Sequence, residues 1–146
     1  TLQSTPVKGL HLQFNYGYTY ARFLEYKKSD TEDYSGQILP LVPRNTLALN
    51  ADYSLYKVFH TIDRLTFSSS LLGVGKIYWM EDNAVAQPFY MTLNLKVMAT
   101  KGHFTWEVWS KNVTNTDYIS YYFVSGGKYA QKGKPFTIGT SVIVNL

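Results

Sequence analysis

The chain has 146 residues, 45% of them hydrophobic and 16% charged, which suits a single folded unit spanning residues 1–146 and excludes a disordered polymer. Its net charge of +4 is spread among acidic residues without a dense basic stripe, so no nucleic-acid partner is expected, and the lack of cysteine excludes a disulfide framework or a thiolate metal centre. No apolar run approaches the ~18 residues of a membrane-spanning helix, so helical insertion is excluded as well.

Residues 1–9 lack the layout of a signal peptide, and the chain opens on Thr1 in mid-phrase, which reads as an excised piece of a longer protein. The first strand follows, with Leu10, Leu12, Phe14, Tyr16, Tyr18 and Tyr20 alternating against His11, Gln13, Asn15, Gly17, Thr19 and Ala21. Residues 25–44, polar at first and then broken by Pro40 and Pro43, form a long loop. A second strand carries Leu47, Leu49, Ala51, Tyr53 and Leu55 on one face, and a short turn near residues 60–63 leads into a third. That third strand alternates Leu65, Phe67, Ser69 and Leu71 against Thr66, Ser68 and Ser70, bends at Gly73 and Gly75, and resumes with Ile77 and Trp79.

Residues 81–88 are a medium loop before a fourth strand with Phe89, Met91, Leu93, Leu95, Val97 and Ala99 on one side. The tight turn Lys101-Gly102 joins it to a fifth, where Phe104, Trp106 and Val108 oppose Thr105, Glu107 and Trp109. Residues 112–135 form another long loop, with room for a short strand at residues 119–124, and a last strand runs from Phe136 through Val142 and Val144 to Leu146.

The fold class is therefore all-β, an antiparallel up-and-down meander of about six to eight strands. Connections run long, short, medium, short, long, so the long ones share one edge, and strands of about ten residues suit a tilted crossing of an apolar band ~25 Å tall. The apolar faces carry no charge, whereas His11, Asp52, Lys76, Lys96 and Glu107 are expected on the opposite faces. A transmembrane barrel wall and a soluble lipocalin-like barrel that holds a small apolar ligand both give this alternation, because period two does not separate inside from outside.

The phrases Val7-Lys8-Gly9-Leu10, Asn15-Tyr16-Gly17-Tyr18-Thr19-Tyr20-Ala21-Arg22-Phe23, Gly36-Gln37-Ile38-Leu39-Pro40-Leu41-Val42-Pro43-Arg44-Asn45-Thr46 and Asp52-Tyr53 resemble the later strands of TonB-dependent outer-membrane receptors. Gln87-Pro88-Phe89-Tyr90, Trp109-Ser110-Lys111-Asn112-Val113-Thr114-Asn115-Thr116-Asp117-Tyr118 and Gly133-Lys134-Pro135-Phe136-Thr137-Ile138-Gly139 extend the resemblance over nearly the whole chain. It implies a barrel of about 22 strands occluded by an N-terminal plug, of which this chain would supply about the last six strands. Leu146 departs from the phenylalanine with which that family more often ends. The resemblance further implies residence in the outer membrane of a Gram-negative bacterium, contact with its lipid, and TonB acting through the plug. The ligand would be a scarce, bulky nutrient such as a ferric siderophore.

On this reading the long loops are extracellular and hold the ligand-binding candidates Tyr34, Tyr118, Tyr121, Tyr122, Tyr129 and Lys128, which with Lys132 and Lys134 offer stacking and positive charge. Ordinary solvated loop residues are the competing account. Tyr16, Tyr18, Tyr20, Trp79 and Trp106 are candidates for interfacial aromatic girdles. His11, His60 and His103 lack metal-ligand spacing, and Asp52 and Glu107 lack a nucleophile beside them, so no metal, cofactor or catalytic residue is expected and the chain does not read as an enzyme. The sequon Asn112-Val113-Thr114 is expected to stay unmodified. An isolated piece of this kind would leave two bare sheet edges, and is expected to curl into a small closed barrel or to self-associate.

Overall fold

The structure, a computed structural model, describes residues 1–58 and 61–145, and every regular element among them is a strand. The strands are β1 (Leu2–Ser4), β2 (Leu10–Tyr18), β3 (Asn45–Val58), β4 (Ile62–Val74), β5 (Ile77–Tyr78), β6 (Ala86–Gln87), β7 (Tyr90–Lys101), β8 (Phe104–Lys111), β9 (Ile119–Val124), β10 (Lys128–Lys132) and β11 (Thr137–Val144). Seven of them form one antiparallel sheet in the order β1-β2-β3-β4-β7-β8-β11, while β5 with β6 and β9 with β10 make two small ladders within the loops. The meander thus follows chain order, as neighbouring strands joined by short connections should.

Pairing register carries each sequence face across the sheet without a slip. Leu12, Ala51, Ser69, Leu95, Ser110 and Ile138 lie in one row, and Leu10, Tyr53, Phe67, Val97, Val108 and Thr140 in the next. The adjacent rows belong to the opposite face: His11, Asp52, Ser68, Lys96, Trp109 and Gly139 align, as do Gln13, Asn50, Ser70 and Asn94. A one-residue slip would exchange the two sets, so the alternation itself fixes register.

The two faces differ in how they are held. The polar face is tied sideways by Ser54 to Thr66 at 2.9 Å, Ser68 to the Asp52 carboxylate, Thr100 to Thr105 at 3.0 Å and Ser141 to Glu107 at 2.6 Å, with Lys96 at 3.9 Å from Glu107. A recess of about 650 Å³ on this side is lined by Gln13, Asn50, Asp52, Asn94, Lys96 and Glu107 among others. The apolar face has no covering layer: Trp106, Ile138 and Val142 remain 56%, 66% and 64% exposed, and among the described residues no side chain is fully buried. Asp63 and Lys101, which fall in the apolar register only at its last positions, pair with each other at 3.4 Å.

Several expectations are corrected here. β1 and β11 do not pair, so the sheet stays open and the small closed barrel is not formed. β2 ends at Tyr18 and not at Ala21, and the third strand ends at Val74, leaving Lys76 outside it. β1 and β10 had no counterpart in the sequence reading, whereas the short strand at residues 119–124 is present as β9. His60 and Leu146 lie outside the described residues, and with them the centre of the turn near residues 60–63 and the final register position.

Candidate functional site

Residues 19–44, 75–89 and 112–136 all leave the sheet at the same edge, and each is folded. The first loop is an irregular hairpin closed by the bridges Arg22 to Ile38 and Lys27 to Asp33. Its tip turns through Lys28 N–H to Glu32 C=O at 2.8 Å and Tyr34 N–H to Tyr26 C=O at 2.8 Å, and its return arm passes Leu41 in the left-handed region (φ 63°), a backbone that a branched residue adopts only under restraint.

The second loop, with its β5–β6 ladder, sits between the other two and holds both. Asn83 makes a reciprocal pair with Ile38, accepting its N–H and donating to its C=O, each at 2.8 Å, and Tyr26 and Lys28 reach Glu81 at 3.2 and 3.5 Å. On the other side, the Gln87 side chain accepts the Ile119 N–H at 2.8 Å, and the buried Trp79 ring meets Tyr121 edge-on at 6.3 Å.

The third loop is anchored by Asn112, 4% exposed and left-handed (φ 48°). Its side chain accepts from Thr116 N–H at 2.9 Å and donates to Thr116 C=O and Lys134 C=O at 3.0 Å each, while its own N–H goes to Asn94 on β7 at 3.0 Å. With both amide protons engaged and the residue buried, Asn112 offers no face for glycosylation. Tyr118 lies over Gly133, where a side chain would collide with its ring, and stacks on Tyr90 at 4.2 Å.

The six candidate ligand residues are thereby divided. Tyr34 belongs to a cluster in the first loop with Tyr26 at 5.7 Å and with the Lys28 ammonium 5.9 Å from its ring. Tyr118 serves the loop base. Along β9 and β10, Tyr121, Phe123 and Tyr129 share one face, with Phe123 and Tyr129 stacked at 5.1 Å, whereas Tyr122 and Lys128 fall on the other face and Tyr122 is buried. Among the girdle candidates, Tyr16, Tyr18 and Trp106 stand exposed in the apolar register, but Trp79 is buried between loops, and Tyr20 lies beyond β2 with Arg44 5.5 Å over its ring.

Glu81, Asn83 and Gln87 were missed by sequence reasoning, because a side chain that bonds a distant backbone leaves no spacing signal. The local electrostatics follow from these contacts. Glu81 holds the Lys28 ammonium above its ordinary pKa, Ser35 keeps the Asp33 carboxyl below its own by hydrogen bonding, and desolvation, with Glu32 beside it, raises the Tyr34 phenol. The edge as a whole presents aromatic faces suited to stacking, while Lys27, Lys28 and Lys132 are paired with Asp30, Glu81 and Asp117.

No family model matches the sequence. Solved structures do match its fold. The ferric yersiniabactin uptake receptor FyuA from Yersinia pestis superimposes with a TM-score of 0.83 at 21% identity over 97% of this chain. BauA, the ferric preacinetobactin receptor from Acinetobacter baumannii, gives 0.76 at 22% identity over 96%, and the siderophore receptor PiuA from the same organism gives 0.76 at 17% over 97%. The chain spans only 22%, 20% and 20% of these structures, respectively. Over almost its full length it has the fold of a part of these receptors.

Proposed function

We propose that the chain is a wall segment, formed by the C-terminal strands, of an outer-membrane receptor for TonB-dependent uptake of a bulky nutrient such as a ferric siderophore. The observation that carries this reading is the uncovered apolar face, free of charge across the body of the sheet and set against a polar face cross-tied by hydrogen bonds. Water does not tolerate such a surface at this extent, whereas hydrocarbon does. A lipocalin-like barrel would turn the same residues inward, and their exposure on an open sheet speaks against it.

On this proposal the apolar face meets outer-membrane lipid, the recess lined by Asp52, Lys96 and Glu107 belongs to the bore, and TonB acts through a plug that lies outside this chain. The loop edge faces the exterior and binds the nutrient, with Tyr34, Tyr121 and Tyr129 supplying aromatic faces, Lys128 charge, and Tyr118 and Tyr122 support. Transport without chemistry is proposed, in keeping with the siderophore receptors that share the fold.

Photolabelling of the full-length protein in its native membrane tests the sidedness. A lipid-dissolved reagent should mark Leu95 and Val142, while a water-soluble amine reagent should reach Lys96 only from the bore. Failure of the lipid reagent to mark Leu95 and Val142, or its marking of residues on the Asp52 and Lys96 face in their place, would overturn the membrane reading.

A further inference from the structure

We infer that Arg44 and Lys76, beside the tyrosines that end β2, hold the phosphate of an anionic lipid; the site rests on the receptor reading above, which puts this rim of the sheet at headgroup level.

The aromatic residues mark that level. Tyr16 and Tyr18 close the outward register of β2, Tyr20 follows two positions on, and all three rings are exposed. Tyrosine favours the boundary between hydrocarbon and water, so this file lies where lipid tails give way to headgroups. The hydroxyls of Tyr18 and Tyr20 have no partner among the described residues, which leaves both free to donate there.

The cations lie at the same height. Arg44 directly precedes β3, Lys76 lies just beyond β4, and Arg44 N–H donates to Lys76 C=O at 3.2 Å, next to Gly75 N–H on Asn45 C=O at 2.6 Å. On the other side Tyr18 pairs with Asn45, and Thr19 N–H donates to Arg44 C=O at 2.9 Å. The end of β2, Arg44 and Lys76 therefore occupy neighbouring lanes of the rim. Like charges on neighbouring strands repel, and an anion shared between them removes that cost.

The chain itself supplies no such anion. The Arg44 guanidinium stands 5.5 Å from the Tyr20 ring centre, and the Lys76 ammonium stands 4.4 Å from that of Tyr78 and donates to its hydroxyl at 2.8 Å. Rings and a neutral hydroxyl orient these cations without neutralising them. Neither makes an ion pair among the described residues, whereas Lys27, Lys28 and Lys132 in the loops beyond all have carboxylate partners.

A phosphate supplies what is missing. A guanidinium takes two of its oxygens as a fork, an ammonium takes a third as a point charge, and tyrosine hydroxyls donate to whatever lone pairs remain. A lipid phosphate is favoured over a free one because its tails continue onto the apolar face below, where Phe14 and Leu49 lie opposite each other and exposed.

Native mass spectrometry of the full-length protein in detergent tests the site, with phosphatidic acid as the probe and phosphatidylcholine, which carries no net charge, as the reference. The first phosphatidic acid should bind about tenfold more tightly than phosphatidylcholine, and equimolar inorganic phosphate should not displace it. R44Q/K76Q should weaken that binding roughly thirtyfold, since each cation near a lipid surface contributes roughly fivefold. R44K, which keeps the charge, should retain most of the affinity, and K132Q/K134Q, which removes the same charge from the third loop, should alter it less than about threefold. Unchanged binding in R44Q/K76Q, equal losses in the two double variants, or displacement by inorganic phosphate would overturn the lipid site. If Leu95 and Val142 are still marked by the lipid-dissolved reagent when any of these is found, the site fails and the receptor reading stands.

Discussion

Replacing Asn112 isolates the knot on which the third loop depends. Its side chain makes three well-formed bonds, one accepted from Thr116 N–H and two donated to the carbonyls of Thr116 and Lys134. At about 1 kcal/mol net for each neutral bond, their loss costs about 3 kcal/mol. Alanine adds about 1 kcal/mol more, because the left-handed backbone at this position suits asparagine and glycine but crowds a Cβ. N112G should therefore open the knot roughly a hundredfold more often and N112A several hundredfold, whereas N112D should match or exceed N112A by turning a carboxylate toward two carbonyls. Amide exchange of Val113 and Phe136 in the full-length protein reports this opening, since their own partners, Leu93 C=O and Asn115 Oδ1, survive each substitution. Exchange in N112A within threefold of the native rate, or N112G faster than N112A, would refute the reasoning.

Four other outcomes are expected. G139A should destabilise the sheet by about 1–3 kcal/mol in urea unfolding, because the new methyl meets the Trp109 ring, and a second substitution W109A should recover most of the loss. L95R, in the middle of the apolar face, should cost about 2–4 kcal/mol in folding into vesicles, whereas S70R on the polar face should cost little; equal penalties would contradict the assigned sidedness. Asp33 titrates below its ordinary value of 3.8 when the tip is folded, so its bond to Ser35 is fully present above that pH and lost as pH falls through the lowered value. Protection of the Ser35 amide, corrected for intrinsic rate, should drop accordingly in the native chain and stay flat in D33N. In detergent-free buffer the isolated chain should scatter light as an oligomer, because β11 offers an unpaired edge with neither a charge nor a proline in it; a dispersed monomer would refute this.

What was legible in the sequence was whatever repeats every second residue. Leu12, Ala51, Ser69 and Leu95 align because each belongs to an alternating run long enough to specify register. β1 escaped notice because three residues, Leu2-Gln3-Ser4, carry no period, and β10 because Lys128-Tyr129-Ala130-Gln131-Lys132 reads as polar loop until Phe123 and Tyr122 are placed opposite it. The site was legible only as composition. That Tyr121 and Tyr129 share a face from which Tyr122 and Lys128 are excluded follows from the register of β9 on β10, and that Trp79 is buried follows from the docking of one loop on another. Asn112 stood out as part of a phrase, but its role depends on the carbonyl of Lys134, 22 positions away.

The two ends of the wall are built unequally. At the loop end, Asn83, Gln87 and Asn112 lash non-adjacent parts of the chain together. At the other end, among the described residues, neighbouring hairpins meet through Asp63 against Lys101 and the Gly102 amide, His103 against Asn145, and Ser54 N–H on Gly9 C=O. Lashing of the first kind makes the loop rim a single load-bearing unit, so that a pull on any one of the three loops is passed to the other two.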